Sequence, residues 1–202
     1  MALAALLVTN SVLAETVTFD SDAIGSSPAG WTCGVTGSGS ARWAVTADPS
    51  APSKSNVLMQ TGRGAFPWCV KRGTTVSDGF VQVKFKAISG REDQAGGVVW
   101  RWKNGDSYYV ARANALENNV SLYYTEGGSR KTLKYADAPV ALGAWHTLRV
   151  DFDGSRVAVS LNGKRYIEVD DKRITGPGAV GVWTKADSVT AFDDFSFGAA
   201  WP

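Results

Sequence analysis

An all-β antiparallel sandwich is the fold class this sequence predicts, on three observations. Hairpin dipeptides recur between alternating apolar runs, at Asn104-Gly105, Asp153-Gly154 and Asn162-Gly163. Such pairs accept the positive φ angles of a tight turn. GFVQVKFKAIS has a period of two, with Val81, Val83 and Phe85 on one side and Gln82, Lys84 and Lys86 on the other. No stretch sustains a helical period.

The elements follow in chain order. Residues 1–14, MALAALLVTNSVLA, read as an incomplete secretory signal peptide, apolar and ending in small residues, and too short to span a bilayer. The remainder, 15–202, is expected to form one sandwich and a monomer, secreted or periplasmic. The loop-rich part from Ala23 to Gly73 wraps the sandwich, because Trp31, Trp43, Val45 and Leu58 recur in it as anchors. Cys33 and Cys69 are the chain's two cysteines; export predicts one disulfide, with Cα atoms about 4.4–6.8 Å apart, and two buried thiols are the alternative. A further hairpin turns through Glu126-Gly127-Gly128, and two strands are read in GVWTKADSVTAFDDFSF.

The 202 residues are 44% hydrophobic and 20% charged, as in an ordinary soluble globule. A net charge of +2, without a basic run carrying aromatics, argues against nucleic acid. The 8 tryptophans call for either a large core or aromatic platforms for a ligand. Two cysteines and one histidine cannot complete an ordinary zinc site.

LGAWHTLRVDFDGSRVAVSLNG resembles the hairpin pair of concanavalin A-like domains. The match runs from the TVTFDSD strand to the AFDDFSF strand. Within that superfamily the chain most resembles secreted bacterial domains related to the 3-keto-disaccharide hydrolase family and laminin-G-like domains. The resemblance implies a jelly roll of two curved sheets whose concave face binds or cleaves carbohydrate, and whose first and last strands pair antiparallel. The superfamily's glucanases carry Glu-x-Asp-x-x-Glu on one strand. Here the nearest string is Glu168-Val169-Asp170-Asp171-Lys172-Arg173, without the second glutamate that retaining catalysis needs.

The candidate ligand residues are Arg101, Tyr108, Arg112, Asn114, Glu117, Trp183, Lys185 and Asp187. Alternation places Arg101 with Val99, and Tyr108, Arg112 and Asn114 on one face of the next strand. Trp183, Lys185 and Asp187 share a face of another strand. Flat aromatic rings beside guanidinium, amide and carboxylate groups suit the C–H faces and paired hydroxyls of a sugar. The alternatives are that the tyrosines cover the core, that Arg112 pairs with a structural carboxylate, and that Lys185 and Asp187 form a surface ion pair.

Asp20, Asp22, Asp193 and Asp194 are candidates for an oxygen-ligated structural calcium, with backbone amides or an arginine as alternative partners. His146, in a Trp-His pair, reads as scaffold. A saccharide-binding sandwich is the expected function. A glycoside hydrolase acting on a (keto-)glycoside through Glu117 or Asp187, or a laminin-G-like adhesion module, are the alternatives.

Overall fold

The computed structural model describes residues 14–199; the expected export segment, apart from Ala14, falls outside the described residues. Fifteen strands follow in order: β1 (Glu15–Val17), β2 (Trp31–Ser40), β3 (Trp43–Ala47), β4 (Asn56–Gln60), β5 (Arg63–Lys71), β6 (Gly79–Ser89), β7 (Ala95–Asn104), β8 (Ser107–Asn114), β9 (Asn119–Glu126), β10 (Ser129–Asp137), β11 (His146–Asp153), β12 (Arg156–Leu161), β13 (Lys164–Asp170), β14 (Ala179–Trp183) and β15 (Val189–Gly198). One sheet runs β13-β12-β11-β6-β15-β4-β3 with β1 added on β15; the other runs β10-β9-β8-β7-β14-β5-β2. The pair forms an antiparallel jelly-roll sandwich.

The turn chemistry of the sequence builds the hairpins. Asn162 and Gly163 take φ of 51° and 80° between β12 and β13, and Gly127 and Gly128 take 55° and 73° between β9 and β10. Between β7 and β8 the turn falls one residue later than the sequence suggests. Asn104 pairs with Ser107, and its side chain accepts the Asp106 N–H at 2.8 Å, an Asx turn.

β6 is the clearest case of pattern becoming packing. Val81, Val83 and Phe85 are fully buried between the sheets, and they meet Leu148, Val150 and Phe152 of β11 in the same core cluster. Trp100 and Tyr109 cover this core from the other sheet, with ring centroids 5.3 Å apart. The first and last strands pair as expected: Glu15 opposes Phe197 and Val17 opposes Phe195, antiparallel. Cys33 and Cys69 oppose each other directly across β2 and β5 and form the disulfide. Their Cα atoms are 3.9 Å apart, below the expected range and below even the roughly 4.5 Å of the closer kind of antiparallel pair.

Candidate functional site

The outer face of the seven-stranded sheet carries the site. Register aligns Tyr135, Ser121, Arg112, Gly97, Trp183, Trp68 and Gly34 in one row across seven strands. Small residues, Ser121, Gly97 and Gly34, separate or flank the large ones along it. A Cβ on Gly97 would stand 2.7 Å from the Ala111 carbonyl oxygen and 3.3 Å from the Trp183 ring, so only glycine lets Arg112 and Trp183 lie side by side. The face is strongly concave. Arg130 on β10 places its guanidinium carbon 4.7 Å from the Phe66 ring centre on β5. Those strands are five steps apart in the sheet, roughly 24 Å if it were flat.

One rim of this hollow holds a polar network. Asp93, between β6 and β7, has no exposed surface. Arg112 Nη1 donates to both its oxygens at 3.0 Å, Asn114 Nδ2 donates to it at 2.7 Å, and Lys185 Nζ lies 2.5 Å away. Arg112 itself is 2% exposed. Its Nη2 also donates to Glu117, which accepts from Asn119 Nδ2 at 2.9 Å. Partial burial pushes the Glu117 carboxyl up, but the Asn119 hydrogen bond and the charges of Arg112 and Lys185 outweigh it and hold the carboxyl below its usual range. Burial works against the charge on Arg112 too, and Asp93 first, with Tyr123 and Glu117, raises its affinity for the proton above the ordinary value.

Asp187 stands beside the network and supports it. Its carboxylate accepts the backbone N–H groups of Arg91 and Glu92 at 2.9 Å and of Asp93 at 3.2 Å. Desolvation pushes its pKa up, and these amides more than reverse the effect. The 90–93 loop that carries Asp93 is thereby fixed.

Arg112, Asn114, Glu117 and Lys185 therefore converge as expected, around an aspartate that the sequence reading missed. The other expectations need correction. Lys185 pairs with Asp93 and not with Asp187, whose oxygens are taken by the loop amides. Arg101 does not join the site. A bulge at this residue, φ 46°, breaks the alternation, so that Val99 and Trp102 lie in the outer cluster and Trp100 in the core. Arg101 instead ties loops together, donating to the carbonyls of Ile174 at 3.1 Å and Gly154 at 2.7 Å and to Asp78 at 3.2 Å. Trp183 shares the face with Arg112 but is 0% exposed, beneath Phe66 and Arg130, and is not an open platform. Tyr108 is likewise buried, its hydroxyl 2.9 Å from Thr36 Oγ1, and burial raises its pKa. The exposed aromatic at the opening is Tyr135, 52% accessible, edge-on to Tyr123 at 5.7 Å.

The four aspartates considered for calcium do not fit one ion. Asp20 accepts from Asn56 N at 3.0 Å, Asp22 from Ala29 N at 2.9 Å and Asp193 from Ser53 N at 2.8 Å, while Asp194 pairs with Lys84 at 2.7 Å. Among the described residues no group of three or more His, Cys, Asp or Glu side chains gathers. A β-bulge, with Asp194 at φ 45°, turns the two adjacent carboxylates to separate partners. His146 is scaffold: its Nε2 lies 3.0 Å from the Ala141 carbonyl oxygen and its Nδ1 3.0 Å from Asn162 Nδ2.

Residues 15–197 match the family described as the 3-keto-alpha-glucoside-1,2-lyase-like domain. The chain belongs to this family. No curated protein sequence matches it. Among solved structures, this family member is similar to a carbohydrate-binding module (CBM66) of Bacillus subtilis, with a TM-score of 0.68, 20% identity, and coverage of 84% of this chain and 96% of the other. It is also similar to a Bacillus licheniformis β-glucanase, with a TM-score of 0.60, 12% identity, and coverage of 96% and 100%. A Bacillus subtilis protein with a galectin-like fold matches at a TM-score of 0.60 and 12% identity, over 83% and 88%. These likenesses establish the concanavalin A-like fold.

Proposed function

We propose that the chain is a secreted or periplasmic carbohydrate-binding sandwich, monomeric, that holds a saccharide over the outer face of β8, β9 and β10. The observation that carries this reading is the Arg112–Asp93–Asn114–Lys185–Glu117 network, opening toward solvent through Glu117 and Lys185 beside the exposed ring of Tyr135. Buried ion networks contribute little to stability over apolar packing of the same volume. Their retention under a hollow lined by aromatic rings suits recognition, with planar hydrogen-bonding groups below and a flat ring at the side. Family membership and the likeness to a carbohydrate-binding module support the same substrate class.

Cleavage of a keto-glycoside is the alternative the family name raises. It requires a group that exchanges a proton with the sugar near neutral pH. The Glu117 carboxylate is committed to Arg112 and Asn119 and that of Asp187 to the amides of residues 91–93, and these partners hold both carboxyls below their usual range, so neither is poised to exchange a proton with a sugar, and binding is the reading we take.

A glycan-array screen followed by calorimetry of the best hit tests it. Tyr135→Ala should weaken binding by about 1–2 kcal/mol, roughly five- to thirtyfold, without lowering the melting temperature. Unchanged affinity in that variant would remove the site from this face. Product analysis after long incubation with the hit decides between binding and cleavage.

A further inference from the structure

Arg130 is the unusual group on this face. Its guanidinium carbon lies 4.1 Å from the Tyr123 ring centre, 4.7 Å from Phe66 and 5.7 Å from Trp183. Its Nη1 is buried with no hydrogen-bond partner among the described residues; Arg112 Nε, Trp102 Nε1 and Trp183 Nε1 on the same face share that condition, but Arg112 is ion-paired through its Nη groups. Aromatic faces stabilise a cation without satisfying its N–H groups. The carboxylates nearby are committed elsewhere: Asp93 to Arg112, Asn114 and Lys185, and Glu117 to Arg112 and Asn119. Arg112 and Arg130 flank the same ring, Tyr123, with Arg112 5.6 Å from its centre. Arg112 and Lys185 are thus ion-paired with Asp93 and Glu117, whereas among the described residues Arg130, inside the hollow, forms no ion pair. A buried donor without an acceptor is costly, and natural interiors leave few of them.

We infer that the ligand of this face carries a carboxylate, as a uronic acid residue does, and that Arg130 is the group that receives it. The guanidinium fork matches a carboxylate in two parallel hydrogen bonds, which an ammonium or a hydroxyl cannot do as well. The rings of Tyr123, Phe66 and Trp183 surround the fork. Burial, with the repulsion of Arg112, pulls the proton affinity of Arg130 below the ordinary arginine value, the direction expected of a cation waiting for an anion. This inference rests on the saccharide reading above, and it narrows the saccharide to an acidic one.

The test pairs acidic oligosaccharides with their carboxyl-reduced counterparts: oligogalacturonate, oligomannuronate and a glucuronate-bearing xylan oligosaccharide, each titrated calorimetrically. At least one acid should bind about tenfold or more tightly than its reduced form, the ratio expected of one charge-assisted hydrogen bond. Arg130→Gln should bring that ratio to about one, whatever its effect on the affinity for the reduced form, and Arg130→Lys should keep part of it. The melting temperature of each variant is checked first; the wild-type ratio decides by itself if Arg130→Gln does not fold. Equal affinities for acid and reduced form, or a ratio that survives in Arg130→Gln, would overturn the inference. Tight binding of neutral glycans alone would overturn it and leave the saccharide reading standing. Binding of no glycan of either kind would end both.

Discussion

On the inner face of the seven-stranded sheet, Trp100, Tyr109, Ala111 and Leu122 are buried by the opposing sheet. On its outer face Trp183, Tyr108, Tyr123 and Arg112 have no opposing sheet, yet they are as fully buried, by each other and by the curl of the strands. The inner face follows the ordinary logic of burial: apolar side chains interdigitate and need no partners beyond shape. The outer face encloses a guanidinium, a carboxylate and an amide, with the Tyr123 ring beside the guanidinium. Desolvating those groups costs what their attraction returns, so this layer is not the best way to make the sheet stable. The difference separates what folds the domain from what the domain is built to present.

The most severe way to break this contrast is at Arg112. Arg112→Met leaves Asp93 fully buried with Lys185 and Asn114 alone to hold its charge, and should cost about 3–5 kcal/mol in urea unfolding. Arg112→Met combined with Asp93→Leu removes both charges and should recover most of that loss. Trp100→Ala on the inner face should cost a similar 3–5 kcal/mol with no second change able to restore it. If the double variant stays as unstable as the single one, the outer network is a structural necessity and the contrast fails.

Legibility in the sequence follows the same division. The hairpins, to within one residue at two turns, the strand β6 and the cysteine pair were readable, because each depends on local pattern or on a plain count, while the pairing of the terminal strands came from the resemblance. Arg112, Asn114 and Lys185 were readable as a group through alternation. Arg101 was not, because one bulged residue moves every later side chain to the other face. Tyr135 fails for the same reason. It stands five residues after Arg130, which an unbroken strand would put on the opposite face. A register shift between Thr132 and Lys134 returns it to the same one. Asp93 lies in a loop, where no period points to it. The meeting of Arg130 with Phe66 depends on sheet curvature across β9, β8, β7 and β14, which no local signal carries.

A gentler probe is the loop that seats Asp93. The Asp187 carboxyl has a folded pKa below its ordinary 3.8, so its contribution to stability is present above that pH and is lost as pH falls through the folded value. Asp187→Asn should therefore lower stability near neutral pH by roughly 1 kcal/mol, once solvent screening at this open edge is allowed for. The gap between wild type and variant should close in melts run progressively below pH 3.8. A gap that persists unchanged in acid would mean that the charge of Asp187 does not hold the loop. Saccharide affinity should fall with stability in this variant, because the loop amides position Asp93 beneath Arg112 and Lys185.

The smallest effect is expected at the rim, where Arg63 pairs with Glu92 at 2.8 Å with both side chains mostly exposed. An exposed pair gains little from Coulomb attraction in water and gives up side-chain freedom to form. Arg63→Ala should change stability by less than about 1 kcal/mol, and the change should vanish near 1 M salt, where the screening length is about 3 Å. The same variant sharpens the reading of Arg130. A rim cation acts on an anionic ligand from a distance, so Arg63→Ala should slow association with an acidic oligosaccharide at low salt and leave dissociation alone. Arg130→Gln removes a direct hydrogen-bonding partner in a water-poor hollow, so its effect should appear in dissociation and persist at high salt. Stopped-flow rates at two ionic strengths separate the two. If both variants act only on association and both effects fade with salt, the hollow recognises charge in general and Arg130 holds no carboxylate of its own.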